Sequence, residues 1–166
     1  LWPYESTHPP LGKLLISVGI ALFGMTPFGW RFSGALTGVL MIPAMYLLGL
    51  VLLKKPRWAL LVAFLMAFDM MHLTQTRIAT IDSYAVFFII LMYLCMFCYL
   101  RMNLLRDRYK VLIPLSLSGL FMGLGWATKW ICFYSSVGLA VLFFYSVFLR
   151  VREWRYCMRQ VGALAE

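Results

Sequence analysis

The sequence is short of charge, and above all of negative charge. Only 13% of the 166 residues are charged, and Asp plus Glu number 6 against 15 Lys plus Arg. A water-soluble domain carries about a quarter charged residues, and 63% apolar residues leave too little polar surface to cover one. Cysteine is also scarce. Cys95, Cys98, Cys132 and Cys157 form no secreted disulfide framework, and the Cys95-x-x-Cys98 pair lies inside an apolar run with no second ligand pair. They read as small helix residues rather than a metal or redox site, so no metal is expected.

What is present is a series of long apolar runs separated by basic clusters. Runs of this length need lipid, or other helices in lipid, to cover them. The expectation is an all-α polytopic transmembrane bundle. About five spanning helices are expected, at 32–53, 58–80, 83–100, 111–128 and 130–149. Residues 14–30, broken by Gly19, Gly24 and Pro27, make a poor span. A helix at about 10–25 is expected at the outer interface instead. The whole of 1–166 reads as one transmembrane domain, with 1–31 an outer loop and interfacial helix and 150–166 a basic cytoplasmic tail. The chain begins at Leu1 with no Met and no basic region before a short apolar stretch, and so reads as an internal piece of a longer protein with no visible signal peptide.

The net charge of +9 invites a nucleic-acid reading. The distribution argues against it, because the basic residues sit between membrane runs. Eleven of the fifteen lie in KKPR (54–57), in the loop 101–110 and in the tail from Arg150. The other four are Lys13, Arg31, Arg77 and Lys129. Five alternating crossings put the eleven on one face and the four on the other. The positive-inside rule makes the eleven cytoplasmic.

The outward cations are single, and each adjoins an aromatic or a turn-former: His8-Pro9-Pro10 before Lys13, Trp30-Arg31, and Lys129-Trp130. An aromatic belt with snorkelling cations would explain any one of them. Asp69, His72 and Thr76 recur at helical spacing, about eleven residues inside an apolar stretch. A charge at that depth costs a few kcal/mol unless it faces the bundle interior with a partner. Asp69 and His72 are therefore expected to form an intramembrane pair, either a helix-to-helix clamp or one wall of a water-filled cavity. Arg77 and Asp82 close the same region. Cations and a carboxylate around one hollow suit an anionic lipid headgroup, with the acid placed to orient a hydroxyl or assist proton transfer. Gly34-x-x-x-Gly38 and Gly119-x-x-x-Gly123 have the spacing of close helix contacts.

Four segments carry a family resemblance: THPPLGKLLI, FGMTPFGWRFSGALTGVLMIPAMYLL, FDMMHLTQTRIATIDSYAVFF and GLGWATKWICFY. In this order they resemble the protein O-mannosyltransferases, and most closely the bacterial phospholipid carrier-dependent glycosyltransferases. The resemblance implies a C-type glycosyltransferase fold in a bacterial plasma membrane, or in the endoplasmic reticulum of a eukaryote. A sugar, mannose by this resemblance, would pass from a polyprenyl phosphate to a Ser or Thr hydroxyl of an acceptor protein on the extracytoplasmic face, without a cofactor. It makes membrane lipid a partner and allows a dimer. His8, Lys13, Arg31, Arg77, Asp82 and Lys129 match positions expected near the donor phosphate, with Asp82 a supporting acid. The family's general base is an Asp followed by Glu, upstream of the His-Pro-Pro element; residues 1–7 hold Glu5 but no such pair. A transporter built on Asp69 and His72, a structural membrane subunit, and a lipid or glycan acceptor are the competing readings.

Overall fold

A computed structural model describes residues 7–103 and 109–165, with side chains described as far as Met158. Glu5, Arg106, Arg108 and the Arg159 side chain lie outside the described residues. Among the described residues seven helices follow one another: α1 (Leu11–Phe23), α2 (Pro27–Leu53), α3 (Pro56–Ala67), α4 (Met70–Arg77), α5 (Asp82–Arg101), α6 (Leu112–Trp126) and α7 (Ile131–Ala165). Among the described residues there is no strand.

Local chemistry sets several boundaries. α2 begins at Pro27, five residues before the expected 32. The Thr26 hydroxyl accepts from the Gly29 amide, and proline at the first helical position needs no donor partner. Gly24, at φ 76°, turns the chain from α1 into α2. Lys54 ends α2 in the left-handed conformation, with its amide bonded to the Leu50 carbonyl.

The expected span 58–80 is two helices, α3 and α4, bent by 55°. Asp69 is the cause. Its carboxylate accepts from the amides of Met71 and His72, at 3.3 and 2.9 Å, and so caps α4. This corrects the expectation of a continuous helix face joining Asp69, His72 and Thr76. Asp69 lies before the first turn of α4, and it bonds the backbone of His72 rather than the imidazole. A carboxylate within an apolar stretch is stabilised here by otherwise unsatisfied helix amides.

Among the described residues three helices (α2, α5 and α7) are long and apolar enough to cross a bilayer, or four if the bent α3–α4 pair is one broken span. The 15 residues of α6 rise about 22 Å, short of a hydrocarbon core of about 30 Å. α7 continues in one helix through the segment expected as a separate tail from 150.

Contacts at the helix ends give the directions. Arg101 at the end of α5 reaches the Leu52 carbonyl at the end of α2, at 3.5 Å. Arg150 of α7 donates to the Tyr99 hydroxyl (3.2 Å) and carbonyl (3.3 Å), and its guanidinium lies 4.6 Å from that ring centroid. These residues mark the basic end. At the other end the Leu11 amide donates to the Ala127 carbonyl at 2.9 Å, joining α1 to the α6–α7 turn. α2, α3–α4, α5, α6 and α7 therefore alternate between two ends. α1 packs on the first turns of α2 and on the start of α5 at this end. A Cβ on Gly12 would touch Ile81 and Thr128, and one on Gly19 would touch the Gly29 carbonyl.

The core is thin. Met92, Met96, Tyr99, Val111 and Leu139 pack between α5, α6 and α7, and Met41, Ala44 and Ile90 between α2 and α5. Large apolar side chains such as Leu36, Val39, Leu120, Val141 and Phe144 point outward. Such continuous apolar exterior is uncommon in water and ordinary in lipid. Gly34 and Gly38 seat α2 against α4, where a Cβ on Gly38 would lie 2.6 Å from the Thr76 methyl. Gly119 and Gly123 meet nothing within 4 Å, so the second small-residue motif has no partner among the described residues.

Candidate functional site at the polar end

The polar end is built on three consecutive residues at the start of α5, each tied to a different element. Asp82 forms an ion pair with Lys129 of the α6–α7 turn. Ser83 donates to the Gln75 carbonyl of α4 at 3.0 Å. Tyr84, 2% exposed, shares a 2.7 Å hydrogen bond with Ser33 of α2. One turn of helix thus fixes the register of α2, α4 and α6–α7. The ion pair is also favoured by the helix ends. Asp82 stands at the amino end of α5, and Lys129 just past the carboxyl end of α6, where its amide bonds the Gly125 carbonyl. The pair is partly solvated, with Lys129 at 25% and Asp82 at 44% exposure.

A cleft of about 190 Å³ opens beside Asp82 between α4 and α5. Asp69, His72, Gln75, Thr76 and Ser83 also line it, with Met41, Met66 and Met71 as apolar walls. Asp69 and His72 therefore do share a hollow with Asp82. Arg77 ends α4, exposed, two residues beyond the Gln75 carbonyl that holds Ser83. Arg31 is exposed on the second turn of α2, one turn before Gly34, whose missing Cβ leaves room for the Thr76 carbonyl. Arg31 lines its own hollow of about 340 Å³ with Pro27, Phe28, Phe32 and Ala35, separate from the Asp82 cleft.

His8 is half-buried ahead of α1, with its Nδ1 enclosed and lacking a hydrogen-bond partner among the described residues. Lys13 is exposed on the first turn of α1, next to the Gly12 contact with Ile81 and Thr128. All six phosphate-side candidates thus stand at one end, and Asp82 and Lys129 touch. No group of three or more His, Cys, Asp or Glu that could hold a metal occurs among the described residues.

Sequence reasoning missed Ser33, Ser83 and Tyr84. The only local signal was Tyr84 following Asp-Ser at a helix start. Its partner Ser33 is 51 residues away. The break at Asp69 did have a signal, a lone helix-capping residue within an apolar run.

These features define a polytopic membrane helix bundle with a charged, partly enclosed site at one end. Residues 23–164 match the dolichyl-phosphate-mannose-protein mannosyltransferase family, and the chain belongs to that family. Similar proteins include the polyprenol-phosphate-mannose–protein mannosyltransferase of Mycobacterium tuberculosis, 26% identical over 156 residues, covering 80% of this chain and 30% of that protein. That of Mycolicibacterium smegmatis is 28% identical over 139 residues, 74% of this chain and 27% of the relative. That of Corynebacterium glutamicum is 35% identical over 82 residues, 49% and 16%. The chain spans about 30% of the first relative's length. No solved structure matches it.

Proposed function

We propose that this chain is the donor-binding membrane part of a glycosyltransferase that moves mannose from a polyprenyl phosphate to a protein Ser or Thr hydroxyl. Transfer takes place at the polar end, which we assign to the extracytoplasmic face. The observation that carries this reading is the Asp82–Lys129 pair, set at the end where α1, Arg77 and Arg31 also stand, in a chain of this family.

The acceptor oxygen attacks the anomeric carbon as the bond from that carbon to the phosphate oxygen breaks. Negative charge grows on the leaving polyprenyl phosphate. Cations held in place before the reaction, in a site that excludes much of the water, stabilise that charge. Lys129, held by Asp82, supplies one, and Arg31, Arg77 and Lys13, exposed at the same end, add their charge as the donor binds. Arg31 and Arg77 can each grip two phosphate oxygens, whereas Lys acts as a point charge. Asp82, which lines the cleft, holds Lys129 by an ion pair and so acts in a supporting role. The hydroxyl proton passes to a carboxylate base, which the family resemblance assigns to an Asp upstream of His8. The apolar flank of the bundle receives the lipid tail. A lipid or glycan acceptor would use the same donor side, and an acceptor assay separates the cases.

The test uses the longer protein that carries this chain. Arg31→Ala, Arg77→Ala and Asp82→Ala should each abolish transfer from radiolabelled polyprenyl-phosphate mannose to an acceptor peptide, with membrane insertion unchanged. Full activity in all three variants would overturn the proposal.

A further inference from the structure

The basic end holds more positive charge than the fold uses. Arg101 and Arg150 are engaged in joining helix ends. Lys54, Lys55, Arg57, Lys110, Arg152 and Arg155 are exposed, and no carboxylate pairs with any of them among the described residues. Glu153 is the only carboxylate described on the α7 extension.

These cations lie at one depth. From Gly34, which abuts the α4 end, to Lys54 is 21 residues; α5 from Asp82 to Arg101 is 20; Ile131 to Arg150 is again 20. Each stretch rises about 30 Å, one hydrocarbon thickness. Arg150, packed on the Tyr99 ring, marks the boundary, and Arg152 and Arg155 follow just beyond it. Aromatic side chains stand at the same level. Trp58 and Trp154 are 54% and 63% exposed. On α7 the exposed Val151, Trp154 and Met158 form an apolar stripe beside Arg152 and Arg155. A basic ring at headgroup depth, interleaved with exposed tryptophans, has the chemistry of an anionic membrane surface rather than of a soluble partner.

We propose that the basic end is a docking surface for anionic phospholipid headgroups, gathered by Lys54, Lys55 and Arg57 of the α2–α3 turn and by Arg152 and Arg155 of α7. Setting the orientation of the chain requires only that these charges stay on one side. Selecting lipids requires that they hold headgroup phosphates, and that difference can be measured independently of any transferase activity.

Two forms of the chain are reconstituted in vesicles, with the other tryptophans changed to phenylalanine. One keeps Trp58 and Trp154 at the basic end; the other keeps Trp30 and Trp130 at the polar end. Fluorescence is quenched by brominated phosphatidylglycerol or brominated phosphatidylcholine. The basic-end pair should prefer phosphatidylglycerol by roughly fivefold or more, the ratio one Lys or Arg near an anionic surface supplies. The polar-end pair, which stands beside Arg31 and Lys129, is the reference: whatever its ratio, changes at Lys54, Lys55, Arg57, Arg152 and Arg155 should leave it unaltered. The preference should vanish in 1 M salt, where the screening length is about 3 Å, and in the variant with Lys54, Lys55, Arg57, Arg152 and Arg155 all changed to Gln. A ratio of one for the basic-end pair, a preference there that the five-residue Gln variant leaves unchanged, or no quenching of Trp58 and Trp154 by either lipid, as a covering acidic protein segment would give, overturns the proposal. So does selective loss of the preference with inorganic phosphate at matched ionic strength, which would mark a pocket for free phosphate.

Discussion

The two ends of the bundle use positive charge in opposite ways. At the basic end the cations are many and clustered, most have no carboxylate partner among the described residues, and Arg101 and Arg150 reach backbone carbonyls and a tyrosine. At the polar end they are few and widely separated in sequence, and Lys129 is held by a carboxylate 47 residues away. Charge that only has to be on one side of a membrane can sit anywhere in a loop. Charge that is held at one position needs a scaffold, and Asp82, Ser83 and Tyr84 supply it by binding three separate elements.

The largest effect that would break this contrast is on activity. In the longer protein, Lys129→Ala should lower mannose transfer by about 10² to 10³, the loss typical of removing one preorganised group that stabilises transition-state charge. Lys55→Ala at the basic end should leave the rate within twofold. Equal losses, measured as initial rates with matched protein levels, would erase the distinction between the ends.

The next effect compares the two small-residue motifs. Gly38→Leu drives a side chain into Thr76 and should cost about 1–3 kcal/mol. Gly123→Leu meets open space and should stay within about 0.5 kcal/mol. Thermal unfolding of the chain in detergent reads both. Asp69 gives a smaller change. Asp69→Ala removes the α4 cap and should cost about 1 kcal/mol, while Asp69→Asn, still able to cap, should lose much less. A carboxylate needed for its charge would be damaged equally by both substitutions. The smallest effect is the Ser33–Tyr84 bond. A double-mutant cycle of Ser33→Ala and Tyr84→Phe should show a coupling of about 0.6 kcal/mol, the mean for hydrogen bonds between membrane helices.

Much of this architecture was legible in the sequence, because hydrophobic length and charge position are properties of local stretches. The runs around α2, α5 and α7, and the division of cations between the ends, follow from that. The break at Asp69 was misread because one carboxylate in an apolar run fits two physical solutions, a partner across the bundle or the amides of a helix start. Spacing to His72 is the same in both. The start of α2 at Pro27 was passed over because Gly24 and Pro27 were counted against a span rather than read as a turn and a first helical residue. The site was legible as a set of residues and not as a geometry. Nothing local tells that Lys129 pairs with Asp82, that Arg31 borders a separate hollow, or that Tyr84 finds Ser33.

The placement of the polar end on the extracytoplasmic face, with the basic end opposite, is tested most directly by thiol labelling. Cys157 is an exposed natural reporter at the basic end. With Cys95, Cys98 and Cys132 changed to alanine, one variant keeps Cys157, and two others replace it with serine and carry Ala79→Cys or Trp130→Cys at the polar end. A membrane-impermeant maleimide applied to intact cells should label the cysteines at 79 and 130 at once, and Cys157 only after permeabilisation. Labelling of Cys157 in intact cells, or protection of either polar-end cysteine until the membrane is opened, would contradict the account.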